Sequence, residues 1–292
     1  MESATVRVAE SLKTYALSQA HAKHLNCYTF KTQNIMLKIF ILMASKFLVI
    51  IQDVMSDEMF NIVAQGAKEL NITLPPTAEA AFRAYYDFLE KRGKHVNLTA
   101  LSGVEEVARL HFLDSISPLK ATSFKNKRVI DIGSGAGFPG IPLKIAEPAM
   151  DLTLLEATGK KISFLSELCT ELDINAECVN TRAEEAAHIP DMREQFDIAV
   201  ARAVARLNEL CELCLPFVRV EGFFIAMKST DSADEAAEAQ NAIATLGAEM
   251  LEQKDYKIPG TDITHRIIVI RKIQATPEKY PRRYAKIRKS PL

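Results

Sequence analysis

The segment Val129-Ile-Asp-Ile-Gly-Ser-Gly-Ala-Gly-Phe-Pro-Gly140 constrains this chain more than any other stretch. It reads as an apolar strand that runs directly into glycines. Ligands of open α/β sheets bind beyond the carboxyl ends of the strands. Glycines placed there let the backbone turn tightly and come close to a ligand. Gly135, Gly137 and Gly140 fit the spacing G-x-G-x-x-G, which a ligand-free turn can also satisfy. Glu156 closes the next strand candidate, where a carboxylate can accept hydrogen bonds from a ribose diol. Together the two features point to a cofactor that carries a nucleoside.

The chemistry around the loop narrows the choice. A phosphate-binding Walker loop needs Gly-Lys-Ser/Thr after the glycines, and Gly140 is followed by Ile141. Asp131 stands two residues before Gly133. A carboxylate there would repel the pyrophosphate of a nicotinamide dinucleotide. It suits a cationic ligand with an amino-acid head, such as S-adenosylmethionine with its sulfonium and ammonium groups. An NAD-dependent oxidoreductase is the alternative.

Strand candidates continue at Asp151–Glu156, Ala176–Asn180, Phe196–Ala201 and Gly222–Met227, after a first at Arg128–Ile132. Helical stretches at Lys160–Leu172, Leu207–Val218 and Asp234–Leu246 lie between or after them. Such alternation implies a mostly parallel sheet covered on both faces. The last two strands, near Leu251–Ile258 and Arg266–Ile270, are joined by Pro259-Gly-Thr-Asp262. So short a link suits an antiparallel pair. Upstream, Ser56-Asp-Glu58 offers a helix cap and first-turn acids, followed by Met59, Ile62, Val63, Ala67 and Leu70 at helical spacing. Helices are also expected over Thr77–Arg92 and Val104–Leu113, making a small helical cap.

Four segments are therefore expected: an extension over 1–54, the cap over 55–122, the cofactor-binding domain over 123–273 and a basic tail over 274–292. Within the extension, Ile35–Ile51 is strongly apolar but contains Lys38 and Lys46. Charges near the centre of a membrane span are costly, and a span needs about 20 mostly apolar residues. No membrane span is expected. An interfacial or packed helix is one reading. The favoured one is that 1–54 lies upstream of a true start at Met55.

The chain of 292 residues is 48% hydrophobic and 25% charged, so it can bury a sizeable core. Five cysteines are too few for a disulfide scaffold. Cys211 and Cys214 sit three apart on one face of a helix candidate, with no second pair to complete a zinc site. A reducing, cytoplasmic setting and no metal are expected. The net charge is only -1, yet the last 22 residues hold eight basic side chains and one acidic. Such an arm can bind nucleic acid or be a solvated terminus.

Several elements carry a family resemblance: Asn97-Leu-Thr-Ala100, His111-Phe-Leu-Asp-Ser115, the loop Asp131–Pro142, Leu155-Glu-Ala-Thr-Gly-Lys-Lys161, Thr181-Arg-Ala-Glu184, Ala201-Arg-Ala203 and the tail from Lys279-Tyr-Pro-Arg-Arg283. From about Met55 to Leu292 the chain resembles the bacterial 16S rRNA guanine-N7 methyltransferases, the RsmG or GidB family. The resemblance implies a class I, Rossmann-like S-adenosylmethionine-dependent methyltransferase sheet with an antiparallel last strand. It implies cofactor contacts at Gly133, Gly135 and Phe138, at Ala183 and Glu184 after the third strand, and at Arg202 after the fourth, beside Asp131 and Glu156. Arg202 is the catalytic candidate. The implied reaction methylates N7 of a guanine in the 530-loop region of 16S rRNA, on the free RNA or the small ribosomal subunit, by a protein read as a monomer.

Guanine N7 has a free lone pair and needs no deprotonation, so positioning should supply most of the acceleration. RNA contact is expected from phosphate-seeking cations: Lys127, Arg128, Arg206, Arg282 and Arg283, with Lys91, Arg92, Lys94 and Lys125 as further candidates. His111 and Asp114, three apart, can share a helical face, where packing and substrate contact are both open. A cofactor-bound RNA-binding protein without turnover is the second alternative.

Overall fold

The computed structural model describes residues 27–93, 103–202, 205–230 and 234–292. Lys94, the Asn97–Ala100 element and Ala203 lie outside the described residues. The chain divides into two compact units, residues 1–57 and 58–292. Helix α1, Cys27–Glu69, belongs to both.

In the first unit, the helix leaves Ile39, Phe40, Ile41, Leu42, Met43 and Ile50 exposed. The expected helix start at Ser56 is not one. The helix runs on through it, and Ser56 Oγ donates back to the Asp53 carbonyl at 3.0 Å. A hydroxyl can bond within a helix as well as cap one. Among the described residues no helix is long and apolar enough to cross a membrane.

The second unit is built on a seven-stranded sheet. Its strands are β1 Arg128–Ile132, β2 Asp151–Leu155, β3 Ala176–Val179, β4 Phe196–Arg202, β5 Val218–Ser229, β6 Ala248–Lys257 and β7 Thr264–Lys272. Their order is β3-β2-β1-β4-β5-β7-β6. The first five are parallel; β7 runs antiparallel between β5 and β6. The central strands are buried on both faces, as their continuous apolar runs require. Edge strand β6 carries Glu249, Glu252, Lys254 and Asp255, mostly exposed, which discourages pairing with another sheet edge.

Helices α3 Gly140–Ala146, α4 Gly159–Glu171, α5 Ala183–Ala186, α6 Leu207–Cys214, α7 Glu235–Glu238 and α8 Gln240–Thr245 cover the sheet. They follow α2, Ala78–Phe88. Cys211 and Cys214 are both buried on α6. The cap helices belong to this unit: Met59, Val63 and Ala67 bury one stripe of α1, Leu70 just past its end is buried too, and α2 buries Phe82, Tyr85 and Tyr86. A helical run over 104–116 is wound more widely, as π-helix, between Val107 and Leu113.

The C-terminal residues are packed rather than free. Thr276, Tyr280 and Ile287 are buried, and helix α9, Tyr284–Lys289, rests against α6. Cap, sheet and tail all lie within the unit over 58–292.

Candidate cofactor and substrate site

Strand order reverses between β1 and β4, which opens a crevice at their carboxyl ends. The glycine loop follows β1 there. Gly133, Gly135 and Gly137 all have positive φ, at 75°, 59° and 104°, a region costly for side chains with a Cβ. Gly133 N and Ser134 N both donate to the Leu155 carbonyl, at 2.8 and 3.2 Å. Gly137 N and Phe138 N donate to Ser134 O. Tyr85 on α2 donates its hydroxyl to Ala136 O at 2.7 Å, tying the cap to the loop. A Cβ built on Gly135 would meet nothing nearer than Gly133 O at 3.8 Å, so this glycine faces open space. One on Gly140 would lie 2.7 Å from Asp131 Oδ2.

Two carboxylates flank the loop. Asp131 is fully buried and accepts from Gly140 N at 2.9 Å. Burial pushes its pKa up to about 7, although the Gly140 bond and Arg202 favour the charge. Its second oxygen, Oδ1, is buried without a partner. A donor or cation reaching Oδ1 would therefore draw the group back to its charged form. Glu156 accepts from Gly135 N at 3.1 Å and Thr158 N at 2.9 Å, and Lys161 Nζ stands 3.9 Å away. Each oxygen keeps a lone pair for a further donor such as a hydroxyl. Ala183 and Glu184 open α5 just beyond β3, both half-buried.

Arg202 ends β4 with its side chain 15% exposed. One guanidinium nitrogen donates to Asp114 Oδ2 at 3.0 Å and Ser115 Oγ at 3.1 Å, with the Leu110 carbonyl at 3.2 Å. The other lies 3.2 Å from His111 Nδ1. The guanidinium carbon sits 4.9 Å from the centre of the Phe138 ring, within cation–π range. Phe138 is itself stacked with His111 at 4.6 Å and with Tyr85 at 5.4 Å, so its ring is a buried pillar between loop and cap. Burial and then Arg202 lower the His111 pKa to about 4. Because Arg202 can only donate, the neutral imidazole carries its proton on Nε2, a buried atom without a partner.

Residues 78–264 match the family model described as rRNA small subunit methyltransferase G, GidB. The chain belongs to that family. Methyltransferase G of Alkaliphilus oremlandii is 44% identical over 237 residues, covering 80% of this chain and 99% of its own length. That of Caldanaerobacter subterraneus is 45% identical over 240 residues, covering 82% of this chain and 100% of its own. Among solved structures, TehB from Haemophilus influenzae overlaps with a TM-score of 0.41 at 19% identity, over 65% of this chain and 67% of its own.

For a member of the methyltransferase G family the loop residues fit S-adenosylmethionine. Gly135 leaves room for close backbone approach, Glu156 can take a ribose diol, and Asp131 Oδ1 lacks a donor. The cations expected to meet RNA do not all converge on this crevice. Lys127 and Arg128 stand at the amino end of β1, about 13 Å of strand away from the loop. Arg128 N there donates to Asp197 Oδ2, and its side chain lies over Phe196. Arg206 is on the carboxyl side and exposed, paired with Glu238. Arg282 turns inward: its side chain donates twice to the buried Glu212, at 2.8 and 2.6 Å, and its backbone N adds a third bond. A buried carboxylate needs such a partner. Arg283 is exposed, with Lys286, Arg288 and Lys289 on α9 also outside. Arg92 pairs with Glu167.

Sequence reading missed Tyr256 and His265. Both bond Asp114 in the wall behind Arg202. No local pattern marks them, since they are alternate residues of the last two strands. Tyr85 was visible only as part of an apolar helix face.

Proposed function

We propose that this protein methylates N7 of a guanine in 16S rRNA, in the 530-loop region, as a cytoplasmic monomer acting on the small subunit or its RNA. The chain is an S-adenosylmethionine-dependent rRNA methyltransferase by family. The observation that carries the finer reading is the state of the acid and base groups at the end of β4. His111, with a pKa of about 4, is too weak a base to deprotonate an amine or hydroxyl near neutrality. Both oxygens of Asp114 are already hydrogen-bonded to other side chains, and it is only 2% exposed. An acceptor with an available lone pair, such as guanine N7, needs neither group as a base.

The cofactor, when bound, supplies an electrophilic methyl group. The chain's part is placement. Gly133 and Gly135 shape the loop, Glu156 holds the ribose, and Ala183 and Glu184 border the adenine side. Asp131 favours positive charge near the loop. Arg202 braces Phe138 and contacts the donor or the acceptor base. The exposed cations Arg283, Lys286, Arg288 and Lys289 attract RNA phosphates.

Small subunits from a strain lacking the gene test the reading. Labelled methyl should be incorporated, and mapping should place it on N7 of one guanine. Incorporation at another atom, or none with folded protein, would end it.

A further inference from the structure

Asp114 joins parts of the chain that are far apart in sequence. Tyr256 on β6 and His265 on β7 face each other in register across the antiparallel pair. Their rings are 6.3 Å apart and perpendicular. The Tyr256 hydroxyl donates to Asp114 Oδ1 at 2.6 Å. His265 Nδ1 lies 2.7 Å from the same oxygen and must be the donor, because an ionised carboxylate only accepts. Oδ2 is left for Arg202, at 3.0 Å. One oxygen is thus clamped by the last two strands while the other orients the guanidinium.

Burying this carboxylate costs desolvation that an apolar contact would avoid. A merely adhesive contact between cap and strands would be served as well by hydrocarbon. The polar arrangement instead ends on Arg202, whose guanidinium lies over Phe138 in the cofactor loop. We propose that Tyr256 and His265 are positioning residues that set Arg202 through Asp114. The inference rests on the reading of Arg202 as a residue that touches donor or acceptor.

The test uses the full chain, small subunits lacking the methyl group and labelled S-adenosylmethionine. Tyr256→Phe removes only the hydroxyl, and His265→Ala removes the second donor. Each should lower kcat by about tenfold, the loss of one hydrogen bond to a charged group. KM for either substrate should stay within twofold and Tm within a few degrees. His265→Gln, which keeps an N–H donor, should recover most of the rate. In an Arg202→Lys background, Tyr256→Phe should add less than a twofold loss, because both act on the same group.

Unchanged kcat in both variants would overturn the proposal. So would losses that track Tm, or that multiply with Arg202→Lys, and so would failure of both variants to fold, since each outcome makes the pair structural. Failure of the underlying reading looks different: Arg202→Ala would keep full activity with Tyr256 and His265 intact.

Discussion

Two glycines of one loop should fail in opposite ways when given a methyl group. At Gly140 the added Cβ meets Asp131 Oδ2 at 2.7 Å, Leu154 Cδ2 at 2.9 Å and Asp131 Cβ at 3.0 Å, all in the core. Overpacking of this kind costs about 1–3 kcal/mol. Displacing Asp131 also weakens its bond from Gly140 N, which is worth about 1.5–3 kcal/mol once the carboxylate is charged, above about pH 7. For a unit of this size, 1 kcal/mol shifts Tm by about 2–4 °C. Gly140→Ala should therefore melt roughly 5–20 °C lower.

At Gly135 the methyl group enters open space, and the cost is only the left-handed backbone, about 1–2 kcal/mol. In the proposed site the cofactor occupies that same space. Differential scanning fluorimetry with and without S-adenosylmethionine separates the two effects. A ligand at 100 times its Kd stabilises by about 2.7 kcal/mol, so the unmodified protein should gain roughly 5–10 °C. Gly135→Ala should lose most of that gain while its own Tm falls by only roughly 2–8 °C. A full ligand shift in Gly135→Ala would refute the placement of the cofactor. A Gly140→Ala Tm equal to that of the unmodified protein would refute the packing argument.

Other outcomes follow from the same geometry. Arg282→Ala strands the buried Glu212 carboxylate and should cost about 3–5 kcal/mol of stability by chemical denaturation, whereas Arg283→Ala should leave stability unchanged and flatten the salt dependence of RNA binding. If the two variants behave alike, the inward placement of Arg282 is wrong. Asp131 has a raised pKa, so between about pH 4 and 7 the folded state holds a proton that the unfolded state has released, and stability should fall as pH rises through that window. Asp131→Asn should remove that slope; identical pH–stability curves for the two proteins would contradict it. His111 should titrate near pH 4 by NMR, so its contribution to stability is lost as pH falls from about 6.5 towards 4. A midpoint above 6 would mean that the imidazole is neither buried nor beside Arg202.

Much of the sheet was legible in the residues themselves. All seven strands overlap their expected ranges, and β1 matches its expected bounds, because side-chain period and glycine punctuation are local properties; β5 begins at Val218, where a helix is expected to end, and the exposed, charged β6 begins at Ala248 rather than Leu251. The short Pro259–Asp262 link already implied the antiparallel turn between β6 and β7. Glu156 was readable as a loop neighbour from its place at the end of β2. Other features depend on which distant segments meet. The capping signal at Ser56 lost to a helix that continues through it. Lys127 and Arg128 resemble Arg206 as sequence, but strand direction puts them at opposite ends of the sheet. Arg282 reads as part of a basic arm until Glu212, seventy residues earlier, is found beneath it. Asp114 pairs with residues 142 and 151 positions away. Periodicity tells a residue which face it occupies; only strand order and chain packing decide what that face touches.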